Sequence, residues 1–423
     1  MPIKILLVMI FFIFQLIPVT KAEKPLKATF VREHQLWMKE GDQEIQLTKD
    51  KYVYSPQWSY DGRFIAYIVG DEHGEKSSLW IYDTKKKENF KPYPHIETSL
   101  FRWSPVANEL AYLSGWVLNV TKTKDGRPSG FENVSLGVSG FEWYPNGKEF
   151  IVSATSNRLP TGWEPIKLYR IPKDMSLNEN KAKLLYSIPI DEKKLFAVDV
   201  GGFKWSHDGK WVSFLGTPTP SWAMDSNPLC ALSSDGKVFK DIGRMLGFGD
   251  WFKWAPQANQ LAYISGEGRF FVENKMTKIA EIEASTKQIE YTPKGYVDLD
   301  LEWLSPSKIV VARSQENKAW KEGPAPTMFT SLYEIDLTTG TQNRITSPKE
   351  NELDVDPQVV GSYLTWVRKH NETHKSNVWI KHDKQNKASI WIENVEHAPV
   401  LFKEPWGTMG TVLVVFLSGV TNS

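Results

Sequence analysis

Six tryptophans stand at the same place in a recurring phrase, and that recurrence constrains the fold more than any other feature of this 423-residue chain. The phrase is clearest at 55–68, "SPQWSYDGRFIAYI", and at 203–216, "FKWSHDGKWVSFLG". It returns at 101–114, 141–154, 252–265 and 301–314, and in weakened form at 356–369 without the Trp. The anchors Trp58, Trp103, Trp143, Trp205, Trp254 and Trp303 recur every 40 to 60 residues, roughly the period of a four-stranded propeller blade. Within each unit the Trp closes a short strand. Asp61-Gly62, Asn146-Gly147 or Asp208-Gly209 then supplies the positive φ angles of a tight hairpin. An apolar run such as Ile65-Ala66-Tyr67 follows, suited to a strand buried on both faces. Third strands are expected at 79–83, 167–171, 228–233, 269–274, 331–336 and 377–383. A four-stranded sheet with large side chains on both faces cannot bury them alone, so the copies must stack around an axis. The indole is the wedge between neighbours.

These segments resemble the repeat of TolB-type β-propellers, the WD40-like or PD40 repeat, whose core reads Pro-x-Trp-Ser-Pro-Asp-Gly followed by Ile-Ala. The resemblance implies an all-β propeller over nearly the whole chain after its N-terminal segment. Pro is replaced before most anchors, and Asp-Gly becomes Ala-Asn in two units. Residues 28–48 match strands two to four of a blade, and 396–407 resembles a first strand. Pairing the two ends closes a ring of eight blades by a one-plus-three overlap that leaves no bare sheet edge; seven is the alternative count. The boundaries are then 1–22, 23–409 for one propeller domain, and 410–423, an apolar tail outside the repeat and a candidate closing strand.

The first 22 residues carry Lys4, an apolar run from Ile5 to Val19, and Ala22 at a small-residue cleavage position, which reads as a secretory signal. An uncleaved anchor is the alternative, although the run is shorter than the roughly 20 residues of a spanning helix. After cleavage no membrane span is expected, and the location is extracytoplasmic: secreted, periplasmic or envelope-associated. Cys230 is the only cysteine, which excludes an intramolecular disulfide framework and CxxC chemistry. A net charge of +1 gives no electrostatic case for nucleic acid or anionic membrane as partner.

Catalytic motifs are absent from the sequence. TolB-type propellers often precede a serine peptidase, but there is no GxSxG elbow and no room for that fold within the repeats. The eight His fall mostly in loops; His370 and His374, four apart in "HNETH", lie in an expected hairpin loop and lack the HExxH pattern. No metal or other cofactor is expected. The acidic pairs Asp298/Asp300 and Asp354/Asp356 fall at period two, on one side of a strand, where they suit Ca²⁺ or general acid/base work or simply mark strand starts at the rim. The run 84–91, "TKKKENFK", reads as a solvated turn.

Binding residues are expected on one face. Three long loops between second and third strands carry an out-of-pattern Trp: Trp163, Trp222 and Trp320. They form a recognition surface for protein, peptide or glycan, or each folds back to plug its own loop. The residues before the anchors, Gln57, Arg102, Glu142, Lys204, Lys253, Glu302 and Gln358, are polar and lie nearest the axis. They form a mixed-charge ring for a ligand at the channel mouth, with inter-blade salt bridges as the plainer alternative. The reading is a non-enzymatic binding scaffold, at the cell envelope by resemblance to TolB. A propeller-type carbohydrate-active lyase or glycosidase is the alternative.

Overall fold

The computed structural model describes residues 26–71, 77–191, 194–284, 288–373, 375–385 and 387–396, and the backbone of 413–416. The expected signal segment, His374 and the 397–407 stretch fall outside the described residues. Eight four-stranded antiparallel sheets stand in chain order, each a simple meander apart from one small two-stranded insertion, Arg158–Leu159 with Gly162–Trp163. This is an eight-blade propeller with almost no helix.

Closure combines the two ends. Blade one takes three strands, Lys27–Arg32, Gln35–Glu40 and Gln43–Gln46, and its fourth is Leu413–Phe416, paired with Lys27–Arg32 in the register Lys27↔Phe416 to Phe30↔Leu413. The overlap is one plus three, but the strand beside Lys27–Arg32 comes from within 410–423, not from 396–407. Buried apolar side chains bridge every pair of neighbouring blades. Leu36 and Met38 of blade one pack with Trp58 and Tyr67 of blade two. At the other end Ala28 and Phe30 pack with Val367, Val378 and Ile392 of blade eight, so the wheel has no gap. Burial of each such side chain contributes about 1.5–3 kcal/mol.

The anchors act as wedges with a polar tip. Trp143 and Trp303 are buried, and Trp103, Trp205 and Trp254 are half-buried. These five each spend their N–H on the blade before them. Trp103 Nε1 donates to Gln57 O (3.1 Å), Trp143 to Arg102 O (3.1 Å), Trp205 to Trp143 O (2.7 Å), Trp254 to Lys204 O (2.9 Å) and Trp303 to Lys253 O (2.9 Å). A buried indole needs such a partner, and here the partner sets the spacing of adjacent inner strands.

The hairpin turns differ in detail from the expectation. Only the glycines, Gly62, Gly147 and Gly209, take positive φ. Asp61, Asn146 and Asp208 instead accept the amide two residues on, at 2.9, 2.8 and 3.0 Å, an Asx turn. The two Ala-Asn departures also gain a reason. Asn108 Nδ2 donates to Asp61 Oδ2 (2.8 Å) and Asn259 Nδ2 to Asp208 Oδ2 (3.1 Å), tying each departing turn to the Asp-Gly turn of the preceding blade.

One expected strand is corrected. The third strand of blade six is Met276–Glu281, and 269–274 belongs to the loop before it. Its apolar run packs as a loop: Phe271 lies 5.4 Å from Phe248 and 5.8 Å from Trp251.

Candidate binding face and axial channel

An antiparallel meander places the turns after strands one and three at one end of a blade, and the turn after strand two and the connection to the next blade at the other. The long loops therefore share a face, and the Asp-Gly turns lie opposite. Inner strands run from the loop face downward, lining the channel as they go.

The polar residues before the anchors lie on these strands, and all but Gln358 bond across blades. Arg102 Nε donates to Glu142 Oε2 (3.0 Å) and Lys253 Nζ to Glu302 Oε2 (2.8 Å). Lys204 Nζ donates to the carbonyls of Gly249 (2.6 Å) and Phe252 (2.9 Å) in blade six. Gln57 Nε2 reaches Phe101 O (3.4 Å), and Gln358 Nε2 reaches Asp356 Oδ2 (3.2 Å). Protein surrounds these groups, yet Glu142, Lys253 and Glu302 keep about a fifth of their side-chain surface open to the channel. Their ionisation reflects both facts. Burial pulls the Lys204 ammonium down to about 8 against the attraction of Asp250. Burial also pushes the Glu142 carboxyl up, partly offset by Arg102. Lys253 is likewise penalised by burial, but Glu302, Asp300 and Asp250 more than compensate and hold it charged above the ordinary lysine range.

The acidic pairs do not sit as period two requires. The register of blade seven's inner strand, Tyr296–Ser305, shifts between Asp298 and Asp300, and that of blade eight's, Glu352–Val360, shifts between Val355 and Gln358. Such bulges turn one member of each pair away from the other. Asp298 is fully buried and takes a bidentate Arg313, at 2.6 and 2.9 Å; Asp354 takes Arg368, at 2.7 and 2.8 Å. The others meet across the blade boundary instead. Asp356, held at φ +51° by its bulge, donates its amide to Asp300 Oδ2 at 2.7 Å. Burial, then the Asp356 charge, raises the Asp300 carboxyl to about 7 despite Lys253. Asp356 is also raised, by burial first. Lys369 completes the group, lowered to about 8 by burial against the pull of both carboxylates. Among the described residues no three His, Cys, Asp or Glu side chains converge as metal ligands.

The three loop tryptophans occupy blades four, five and seven, and each makes a ring contact of its own. Trp222 lies on a one-turn helix, Pro220–Ala223, 53% exposed and edge-on to Phe196 at 5.4 Å. Trp320 is half-buried edge-on to Phe270 at 4.6 Å, in the neighbouring loop of blade six and not in its own. Trp163 is half-buried in the Arg158–Trp163 hairpin, with the Arg158 guanidinium 6.0 Å from its ring. Sequence reading missed other exposed aromatics on this face: Trp116 at 62%, Phe329 at 44% and Tyr296 at 42%. Trp116 was legible as an out-of-pattern Trp, but its loop is a two-residue turn with Gly115 at φ +58° and so lacked the length signal.

The loops of blades five to eight are clasped into one rim. Arg269 forks onto Asp225 at 2.9 and 2.7 Å, and Ser226 Oγ donates to Glu267 Oε1 (2.8 Å). Asn317 N donates to Val272 O (2.8 Å), and Thr327 Oγ1 to Asn371 Oδ1 (3.2 Å). Outside the rim, a cleft of about 430 Å³ between blades five and six is lined by Arg244, Tyr263, Glu267 and Gln288. Its polar groups satisfy one another: Tyr263 Oη donates to Gln288 Oε1, and Gln288 Nε2 to Ile242 O.

Comparison with known proteins supports the fold. No protein-family profile and no curated protein matches the chain. Among solved structures it resembles a Porphyromonas gingivalis dipeptidyl peptidase 4, at TM-score 0.55 and 13% identity over 86% of this chain and 57% of that one. It also resembles a puromycin hydrolase mutant complexed with PGG, at TM-score 0.52 and 12% identity over 83% of this chain and 55% of that one. The chain spans little more than half the length of either.

Proposed function

We propose that this propeller is a secreted, TolB-like, non-enzymatic scaffold that captures a peptide or protein segment on its loop-bearing face. One observation carries the reading. Six aromatic side chains are exposed among the described residues, and four of them, Trp116, Trp222, Tyr296 and Phe329, lie on that face, with Tyr60 opposite and Tyr93 at the outer edge against Phe131. Exposed aromatic rings on a pre-organised rim are what a docking surface requires, since they supply contact area at small entropic cost. The inter-blade ties of Arg102, Glu142, Lys204, Lys253 and Glu302 support a structural duty for the ring below, leaving capture to the rim and to Trp163, Trp222 and Trp320. The name of one of the two solved structures, a dipeptidyl peptidase, favours peptide as the class of ligand.

The test is affinity capture from the source organism's envelope fraction, followed by hydrogen-exchange footprinting of the captured complex. Protection at 114–117, 219–227 and 316–330 is expected. Protection confined to the Asp-Gly turns would count against the proposal.

The Asp300–Asp356 pair favours a second reading, a carbohydrate-active hydrolase or lyase, because a carboxyl half-protonated near neutrality beside a second carboxylate suits general acid/base chemistry. That reading requires turnover of a polysaccharide by the wild type and its loss in Asp300→Asn.

A further inference from the structure

The face opposite the aromatic loops carries a concentration of lysine that the near-zero net charge hides. In blade two the turn from third to fourth strand presents Lys85, Lys86 and Lys87, all exposed. In blade three the equivalent turn, between Val117–Lys124 and Arg127–Leu136, adds exposed Lys122 and Lys124. The two turns are docked on each other. Arg63 donates to Gly126 O (3.1 Å) and to Asp83 Oδ2 (3.1 Å), while Arg127 pairs with Glu88 (2.6 Å) and lies 3.9 Å from Asp83. The arginines thus take up the nearby carboxylates and leave the lysines without them. None of the five has a described carboxylate within ion-pair distance. Asp61, Asp83, Glu88 and Asp125 stand against seven cationic side chains here, a local excess of three positive charges on a chain of net +1.

A second observation concerns where the chain joins this face. Lys27 is paired with Glu40 on one side and Phe416 on the other, beside the turn at Gly41. That turn follows a third strand, so it lies on the lysine-bearing face, in the blade next to blade two. The described chain, which begins at Leu26, therefore enters the propeller on the lysine side.

We propose that this face is a peripheral contact surface for a bilayer containing anionic phospholipid, which points the aromatic mouth away from the membrane. Each lysine near a charged bilayer adds its own attraction, and the two docked turns hold all five together. Among the described residues the turns of this side expose a single aromatic, Tyr60, which argues against a stacking surface for nucleic acid. The proposal is independent of the capture reading, which concerns the opposite face.

The test is flotation of the full chain with vesicles of phosphatidylcholine alone and with vesicles in which about 30% is phosphatidylglycerol. The expected preference for the anionic vesicles is about a hundredfold at low ionic strength, weakening as salt is added. Lys85→Glu, Lys86→Glu and Lys87→Glu together should abolish the preference without moving the thermal midpoint. The loop-face control, Lys294→Glu, Lys318→Glu and Lys321→Glu, should keep it. Equal partition of the wild type between the two vesicles, or an undiminished preference in the turn variant, would overturn the proposal. So would retention by a soluble anionic polysaccharide in preference to the vesicles.

Discussion

Asp300 shows how a single side chain departs from what its sequence neighbours imply. Its proton is held to about 7 in the fold and released near 4 in the unfolded chain. The folded state therefore binds the extra proton between these values, so the contribution to stability is complete below about pH 4 and is lost as pH rises through 7. Asp300→Asn keeps an acceptor for the Asp356 amide but has no charge to bury. At pH 8 it should be more stable than the wild type by on the order of 1 kcal/mol, discounted for water in the channel. Urea unfolding at pH 4.5 and pH 8 checks this, with the advantage shrinking at the lower pH. The position of Asp300 could not be read from the sequence, because period-two spacing presumes an unbroken strand and the bulge that breaks it is set by inter-blade packing. What alternation did convey was an acidic inner strand in both blades.

At the scale of elements, strands were more legible than loops. The Trp, the Gly of the turn and the apolar run after it are each forced by local geometry, so the first and second strands of the matched blades were placed well. The third strand of blade six was misplaced because Phe270 and Phe271 imitate a buried strand while serving as loop plugs against Trp320 and Trp251. Among the loop tryptophans, sequence could assign a face but not an exposure, since exposure depends on which neighbouring loop supplies Phe196 or Phe270. The clasp of Arg269 on Asp225 joins two such loops. Asp225→Ala should cost under about 1 kcal/mol globally, because the pair is largely solvent-exposed. It should nevertheless speed amide exchange across 266–275 and 219–227, leaving the inner strands unchanged. Unaltered exchange in both loops would mean that the remaining contacts hold the rim unaided.

The whole molecule is a wheel whose last spoke is shared between its ends, so stability and function belong to different faces of one rigid object. Deleting 410–423 removes the strand beside Lys27–Arg32 and exposes Phe30 and the Val367–Ile392 contacts of blade eight. A fall in the thermal midpoint of more than about 10 °C, with aggregation from the bared edge, is expected. The inter-blade bonds of Arg102, Lys204 and Lys253 leave the exposed rings of the loop face as the main groups on offer to a partner. The affinity of the captured partner for a Trp116→Ala, Trp222→Ala and Phe329→Ala variant, measured by titration beside the wild type, tests this most directly. A loss of at least about thirtyfold is predicted, as for removal of a binding hot spot, with an unchanged thermal midpoint. An affinity equal to the wild type's would contradict it.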